Sequence, residues 1–234
     1  MNGAAESLSA TAIGNITTTY NATTGTLTLS GTDTIANYRQ VLSSLTYNNT
    51  AASVNTSDRF IQFVVNDGQA FSNTSTVANT TLSFNLKLTG TSCADILTGT
   101  SGNNIIKGLA GNDTLIGGAG ADKFLYNTNA PFALTAVGVD VITDFKHCQG
   151  DKIILDKTTF NAIASTPGTG FSNKSDFQIT SSAATSTAKI VYDAVSGQLF
   201  YNQNGSAAGF GSGGLFATLT GAPTLTASDF VLQA

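Results

Sequence analysis

The sequence predicts an all-β protein, and three observations carry that prediction. Charged residues make up only 10% of the chain, and Glu6 is the single glutamate. A helical protein normally spends Glu, Lys and Arg on its exposed faces. Short runs of β-branched and aromatic residues alternate with Gly, Asn and Asp turns, which is how strands are punctuated. Glycine also returns at every ninth position from Gly90 to Gly117.

Composition excludes several function classes. The net charge is −4, with ten scattered bases, which opposes nucleic acid as a partner. No apolar run approaches about 18 residues, so no membrane insertion is expected. The opening MNGAAESLSATAIG has no basic head before an apolar stretch, so no cleavable signal peptide is visible. Three prolines and the lack of a long polar block oppose disorder. With 41% apolar residues, 14 Phe and 6 Tyr, the chain can bury a substantial core.

Residues 1–88 read as a β-sandwich. Candidate strands are Ile16 to Tyr20, Thr26 to Ser30, Leu42 to Tyr47, Phe60 to Val65 and Val77 to Phe84. Thr24-Gly25 and Asp67-Gly68 are turns. The imperfect alternation of Phe60 to Val65 predicts a strand between two sheets. Ile35, Tyr38, Val41, Leu42 and Leu45 have helical spacing, with Asp33 or Thr34 as the cap. The stretches Thr24 to Gly31, Leu45 to Thr50 and Ser57 to Arg59 leading to Val65 to Gly68 resemble the cadherin-like, immunoglobulin-like repeats of large bacterial surface proteins. The opening strand of such repeats is missing before Asn2, so the resemblance implies the tail of a longer protein. Their paired acidic calcium motifs are also missing, since Asp58 and Asp67 stand alone.

Residues 90–125 divide into four units of nine: GTSCADILT, GTSGNNIIK, GLAGNDTLI and GGAGADKFL. Gly90, Gly99, Gly108 and Gly117 open them. Position four holds Cys93, Gly102, Gly111 and Gly120. Position six holds Asp95, Asn104, Asp113 and Asp122, and position eight Leu97, Ile106, Leu115 and Phe124. The pattern resembles the nonapeptide repeat of RTX, haemolysin-type calcium-binding proteins, which implies a parallel β-roll over residues 89–157. In such a roll six residues turn and three form a short strand, with position eight pointing inward. Two units complete one coil, so Asp95 stacks with Asp113 on one edge and Asn104 with Asp122 on the other. Stacked carboxylates repel unless a cation lies between them, and hard oxygen donors suit Ca²⁺. The resemblance implies at least two calcium ions. On one edge it offers Gly90, Ser92, Leu109 and Gly111 beside Asp95 and Asp113. On the other it offers Gly99, Ser101, Gly118 and Gly120 beside Asn104 and Asp122. The second site has one carboxylate and should be the weaker. The roll's own core, four inward residues, is thin, so calcium is expected to drive its folding.

Beyond the units, Val139 to Phe145 and Gly150 to Asp156 keep the carboxylate-to-inward-residue spacing at Asp140 with Ile142 and at Asp151 with Ile153. These read as two further half-coils whose Asp140 and Asp151 either donate to calcium or simply end strands. Residues 158–234 read as a separate β cap, with strands at Ala188 to Tyr192, Gln198 to Asn202, Leu215 to Leu219 and Phe230 to Leu232. Tyr192 to Tyr201 reads as a hairpin. Gly205 to Gly211 and Leu225 to Phe230 resemble the C-terminal caps of haemolysin-like calcium-binding proteins. The ending Asp229-Phe230-Val231-Leu232 resembles an uncleaved type I secretion signal.

Enzyme chemistry is sparse. His147 is the lone histidine, beside Cys148, and no Ser sits in a nucleophile-elbow context. Zinc would need three or four His or Cys ligands, and the chain has three such residues in all. Cys93 replaces a motif glycine, so it must bear a strained backbone or distort its loop. The extracellular setting implied by the resemblance favours a Cys93–Cys148 disulfide. The coil geometry opposes it, because the two lie on opposite edges. The expected function is that of a secreted or cell-surface, non-enzymatic, calcium-binding structural or adhesin-type module, with a surface glycan or neighbouring repeats as further partners. Two other roles stay open: an accessory region of a secreted enzyme, and a carbohydrate-binding module using Tyr192 and Tyr201 if these are exposed rather than packed.

Overall fold

The computed structural model describes residues 5–51, 55–64, 78–206 and 209–234. The expected turn Asp67-Gly68, the strand ends Val65 and Val77, and Ala207-Ala208 lie outside the described residues. The chain divides into two compact units, Met1–Ser57 and Asp58–Ala234. The sequence placed its boundary at 88/89 instead.

The first unit contains β1 (Glu6–Ser9), β2 (Thr17–Asn21), β3 (Thr26–Ser30), α1 (Ile35–Ser43) and β4 (Thr46–Asn49). β2 and β3 form an antiparallel hairpin with Asn21 opposite Thr26. Asn21 Oδ1 accepts from the Thr23 and Thr24 amides, and Gly25 takes the positive φ of 67° that the turn needs. Thr34 caps α1, its hydroxyl accepting from the Asn37 amide at 3.2 Å. Asp33 braces the same corner by accepting from the Asn15 and Thr34 amides and the Asn37 side chain, which hold its pKa below the usual range. Val41 and Ile16 are buried. The strand expected from Leu42 starts only at Thr46, because the helix runs on to Ser43. β1 was not foreseen; it pairs antiparallel with β4.

The second unit opens with β5 (Arg59–Phe63) and β6 (Ala78–Leu82), an antiparallel pair. β5 does not lie between two sheets as its sequence suggested. Among the described residues it pairs only with β6, and Phe60 is 81% exposed.

There follow β7 (Lys87–Thr89), β8 (Ile96–Thr98), β9 (Ile105–Lys107), β10 (Thr114–Ile116), β11 (Lys123–Tyr126), α2 (Leu134–Val137), β12 (Asp140–Ile142) and β13 (Lys152–Asp156). The chain ends with β14 (Gly168–Thr169), β15 (Phe177–Thr180), β16 (Ile190–Asp193), β17 (Gln198–Tyr201), β18 (Gly214–Leu219) and β19 (Phe230–Gln233). From β7 to β13 successive strands alternate between two sheets. One is ordered β15-β16-β17-β18-β12-β10-β8, the other β14-β19-β13-β11-β9-β7. The pairings through the roll are parallel and keep position eight in register: Leu97 with Leu115, and Ile106 with Phe124. Ile142 and Ile153 continue the two columns through the expected half-coils, as β12 and β13 pair parallel with β10 and β11.

Residues 158–234 do not form a separate cap. β18 and β19 extend the same two sheets in parallel, setting Leu219 beside Ile142 and Phe230 beside Ile153. The Tyr192 to Tyr201 hairpin is present as β16 and β17. One buried cluster runs from Ile106 through Phe124, Phe132, Ile153 and Phe160 to Tyr201, Phe216 and Leu232. The roll therefore does not rest on four inward residues of its own. Tyr192 and Tyr201 are fully buried in this cluster, so neither offers an exposed sugar-stacking face.

Candidate metal centre

From the second unit onward, each turn places its position-six side chain against the preceding coil on the same edge. On one edge the Asp95 amide donates to Asp113 Oδ1 at 2.8 Å, and the Asp113 amide to Asp140 Oδ1 at 3.1 Å. On the other the Asn104 amide donates to Asp122 Oδ1 at 2.8 Å, and the Asp122 amide to Asp151 Oδ1 at 2.9 Å. The predicted stacking is thus present, and Asp140 and Asp151 extend it. Position five stitches the coils in the opposite sense. Asn85 Oδ1 accepts from the Asn103 amide, Asn103 Oδ1 from Ala121, and Asn112 Oδ1 from Val139.

The second oxygen of each carboxylate decides what the loops can hold. Asp113 Oδ2 and Asp122 Oδ2 are buried and have no hydrogen-bond partner. Each lies in the space left by its unit's opening glycine. A Cβ on Gly108 would stand 2.2 Å from Asp113 Oδ2 and 3.2 Å from Asp140 Oδ2, and one on Gly117 would stand 2.4 Å from Asp122 Oδ2. Carbonyls of the coil below press on the coil above. Gly118 and Gly120 have φ of 96°, and a Cβ there would meet the Thr100 and Gly102 carbonyls at 2.2 and 2.7 Å. An orphaned buried carboxylate oxygen costs several kcal/mol unless proton or cation neutralises it. Burial accordingly raises the pKa of Asp113 and Asp122, with Asp95 adding to the first and Asp144 to the second. Burial, with the charge of Asp113, pushes Asp140 up to about 7.

Buried carboxylate oxygens, flanking carbonyls and loops opened by glycine fit a hard divalent cation with oxygen ligands. Among the described residues no three His, Cys, Asp or Glu side chains converge on one point, so such a cation would lean on backbone carbonyls.

Other carboxylates are already engaged. Asp95 Oδ2 accepts from the Thr91 amide and hydroxyl at 2.6 and 2.9 Å. Asp151 uses its second oxygen for the Lys146 amide at 2.7 Å. Asp144, which the sequence reading passed over, accepts from the Gly117 and Gly118 amides at 2.8 Å each and so fixes the fourth loop. The readable signal was its place in a strand-end Thr-Asp-Phe. Tyr126 was likewise passed over. Its hydroxyl is buried without a hydrogen-bond partner near Asp140, in a small cavity that Leu109 and Val137 also line. Burial, with Asp140 beside it, drives its pKa well above the usual value.

Gly90, Gly99 and Gly108 allow the close stacking of the loops, and Ser101 Oγ donates to Asp58 and lies 3.1 Å from the Ser83 hydroxyl. Leu109 holds a positive φ of 77° where the fourth unit has Gly118. Cys93 is not among the residues of positive φ, whereas Gly111 above it is, at 112°. Gly102 in the second unit is not among them either, so the whole first coil departs from the second coil's loop geometry and Cys93 bears no positive-φ strain. Cys93 and Cys148 are free and exposed. His147 binds buried Asp229 through Nδ1, with Lys152 Nζ at 3.7 Å from the same oxygen.

Residues 89–124 match the family model of the RTX calcium-binding nonapeptide repeat, in four copies. The four units are RTX repeats. RTX repeats bind calcium, so the roll is a calcium-binding repeat module. Among solved structures the chain is similar to the solution structure of the AlgE6R3 subunit from the Azotobacter vinelandii mannuronan C5-epimerase. The identity is 22% and the TM-score 0.35, over 61% of this chain and 80% of that one. No curated protein matches the chain. No helix among the described residues is long and apolar enough to cross a membrane.

Proposed function

We propose that the protein is a calcium-organised structural module of a secreted or cell-surface protein, and that its second unit locks into its folded form when it meets extracellular calcium. The observation that carries this reading is the pair of buried, partnerless oxygens, Asp113 Oδ2 and Asp122 Oδ2, one on each edge of the RTX roll. On this reading each takes one ion, at least two in all. Calcium would supply positive charge that the chain's own donors do not. The RTX loops do the rest: glycines keep the space open, Asp144 fixes the fourth loop, and the amide ladder holds each Oδ1 so that Oδ2 is left free.

The reading gives the module no catalytic step of its own. The first unit, with its antiparallel pairs, is taken as a cadherin-like spacer serving adhesion. Calorimetric titration of the folded, chelator-treated chain tests the core of the reading. Saturable calcium binding with gain of hydrogen-exchange protection over residues 108–125 is expected. No binding would overturn it.

A further inference from the structure

We infer that the roll's demand for cations begins only at its second coil, the third and fourth units, and that the first coil is built to close without one. The inference rests on the calcium-binding reading above and refines where the ions go.

The comparison is between equivalent atoms. In the third and fourth units the outer atom of position six, Asp113 Oδ2 or Asp122 Oδ2, sits by the unit's opening glycine with no partner. In the second unit the equivalent atom is Asn104 Nδ2, which lies 2.8 Å from where a Gly99 Cβ would be. It is a donor, and it is used. It donates to the Gly102 carbonyl at 2.7 Å, the Gly117 carbonyl at 3.2 Å and Asp122 Oδ1 at 2.9 Å. Carbonyl and carboxylate oxygens converging from two coils are the donor set a hard cation would take. Here a neutral amide with two N–H groups serves them. Asn104 is 1% exposed, so water does not compete.

The first unit solves the same problem differently. Asp95 Oδ2 is satisfied by the Thr91 amide and hydroxyl. The second unit also has threonine at position two, and the Thr100 hydroxyl stands between the Phe84 carbonyl and Asn104 Oδ1, 3.1 Å from the latter. The third and fourth units have Leu109 and Gly118 there, which carry no hydroxyl, and theirs are the orphaned oxygens. The first coil also rests on a half-coil without a position-six acid: the Leu86 amide donates to Asn104 Oδ1 at 2.9 Å, as the ladder requires, but Leu86 brings no charge. The first coil is therefore a preformed start on which the calcium-dependent coil can stack.

Native mass spectrometry in calcium, on the full chain and on Asn104→Asp, tests this. The substitution removes the two N–H donors and sets a carboxylate against Asp122 Oδ1. The variant should hold one more calcium than the wild type and be less stable than it in chelator. An unchanged ion count overturns the inference. A wild type that binds no calcium at all overturns the underlying reading instead. If the variant does not fold, the wild type still decides through the Asn104 side-chain amide signals in a ¹⁵N NMR calcium titration. They should keep their shifts and slow exchange throughout. Loss of that protection as calcium binds means the ion displaces the amide, and the inference fails.

Discussion

Phe160→Ala tests whether the segment after the roll and the calcium loops share one folding equilibrium. Phe160 is fully buried, and its ring lies 5.6 Å from Phe132, 5.1 Å from Tyr201 and 5.3 Å from Phe216. Phe132 lies between β11 and α2 within the roll, while the other two stand on β17 and β18, so truncation opens a cavity at the centre of the joint core. Phe→Ala at such a site costs about 3–5 kcal/mol. In a unit of this size that lowers Tm by roughly 6–20 °C. The same loss should appear in calcium. If two ions bind only the folded form, each tenfold rise in free calcium adds about 2.8 kcal/mol. The midpoint of calcium-induced folding should therefore move up by about one to two decades. Circular dichroism along a calcium titration gives the midpoint, and hydrogen exchange of residues 90–126 shows where protection is lost. A variant whose strands β15 to β17 loosen while the midpoint and the roll's protection stay at wild-type values would refute the single core.

Further outcomes follow from particular atoms. In chelator, stability should be greatest in acid and fall as pH rises. Burial lifts Asp140 from 3.8 to about 7, so the folded state holds its proton more tightly, and deprotonation between those values costs about 4 kcal/mol. Asp113, Asp122 and Asp151 shift in the same direction. Urea unfolding in chelator at pH 5 and pH 8 checks this, and equal stabilities would contradict it. Gly138→Ala should cost at least about 3 kcal/mol, because φ is 75° and the new Cβ would stand 1.4 Å from the Gly111 carbonyl oxygen. Gly25→Ala, at φ 67° in open space, should cost only about 1–2 kcal/mol; similar losses for the two in thermal unfolding would remove the role given to the Gly111 carbonyl. Both Cys93 and Cys148 should react with a thiol reagent in the native, unreduced protein. A mass showing fewer than two labels counts against the opposite-edge geometry.

The roll was legible because its information is local and periodic. Four units repeat glycine, acid and inward residue at fixed spacing, and their resemblance to RTX repeats implied Asp95 over Asp113 and Asn104 over Asp122. The expected extensions at Asp140 and Asp151 used the same rule. The reach of the core was not legible. β18 and β19 carry no nonapeptide pattern, and they join the sheets by burying Phe216, Leu219 and Phe230 against residues some 75 to 100 positions earlier in the chain. Such pairing is set by long-range packing, which no local window contains. β1 was missed for a related reason. It is only four residues long, Glu-Ser-Leu-Ser, and gains its place by pairing with β4 across α1.

At the site, the sequence showed which side chains stack but not which oxygens stay unpaired. That depends on atoms outside position six. Thr91 and Thr100 could have been read as departures from a glycine-preferring position, as Asn104 was read as a departure from aspartate. Taken one at a time each looks like decay of the repeat. The structure joins them: hydroxyl and amide donors stand in the coil where position six finds partners, and they are absent from the coil where two carboxylate oxygens have none. A neutral donor can replace a cation where the surrounding oxygens need only hydrogen bonds. It cannot do so where two buried carboxylates face one space, as Asp113 Oδ2 and Asp140 Oδ2 do beside Gly108. The loops with the deepest paired charge are therefore the ones that calcium must complete.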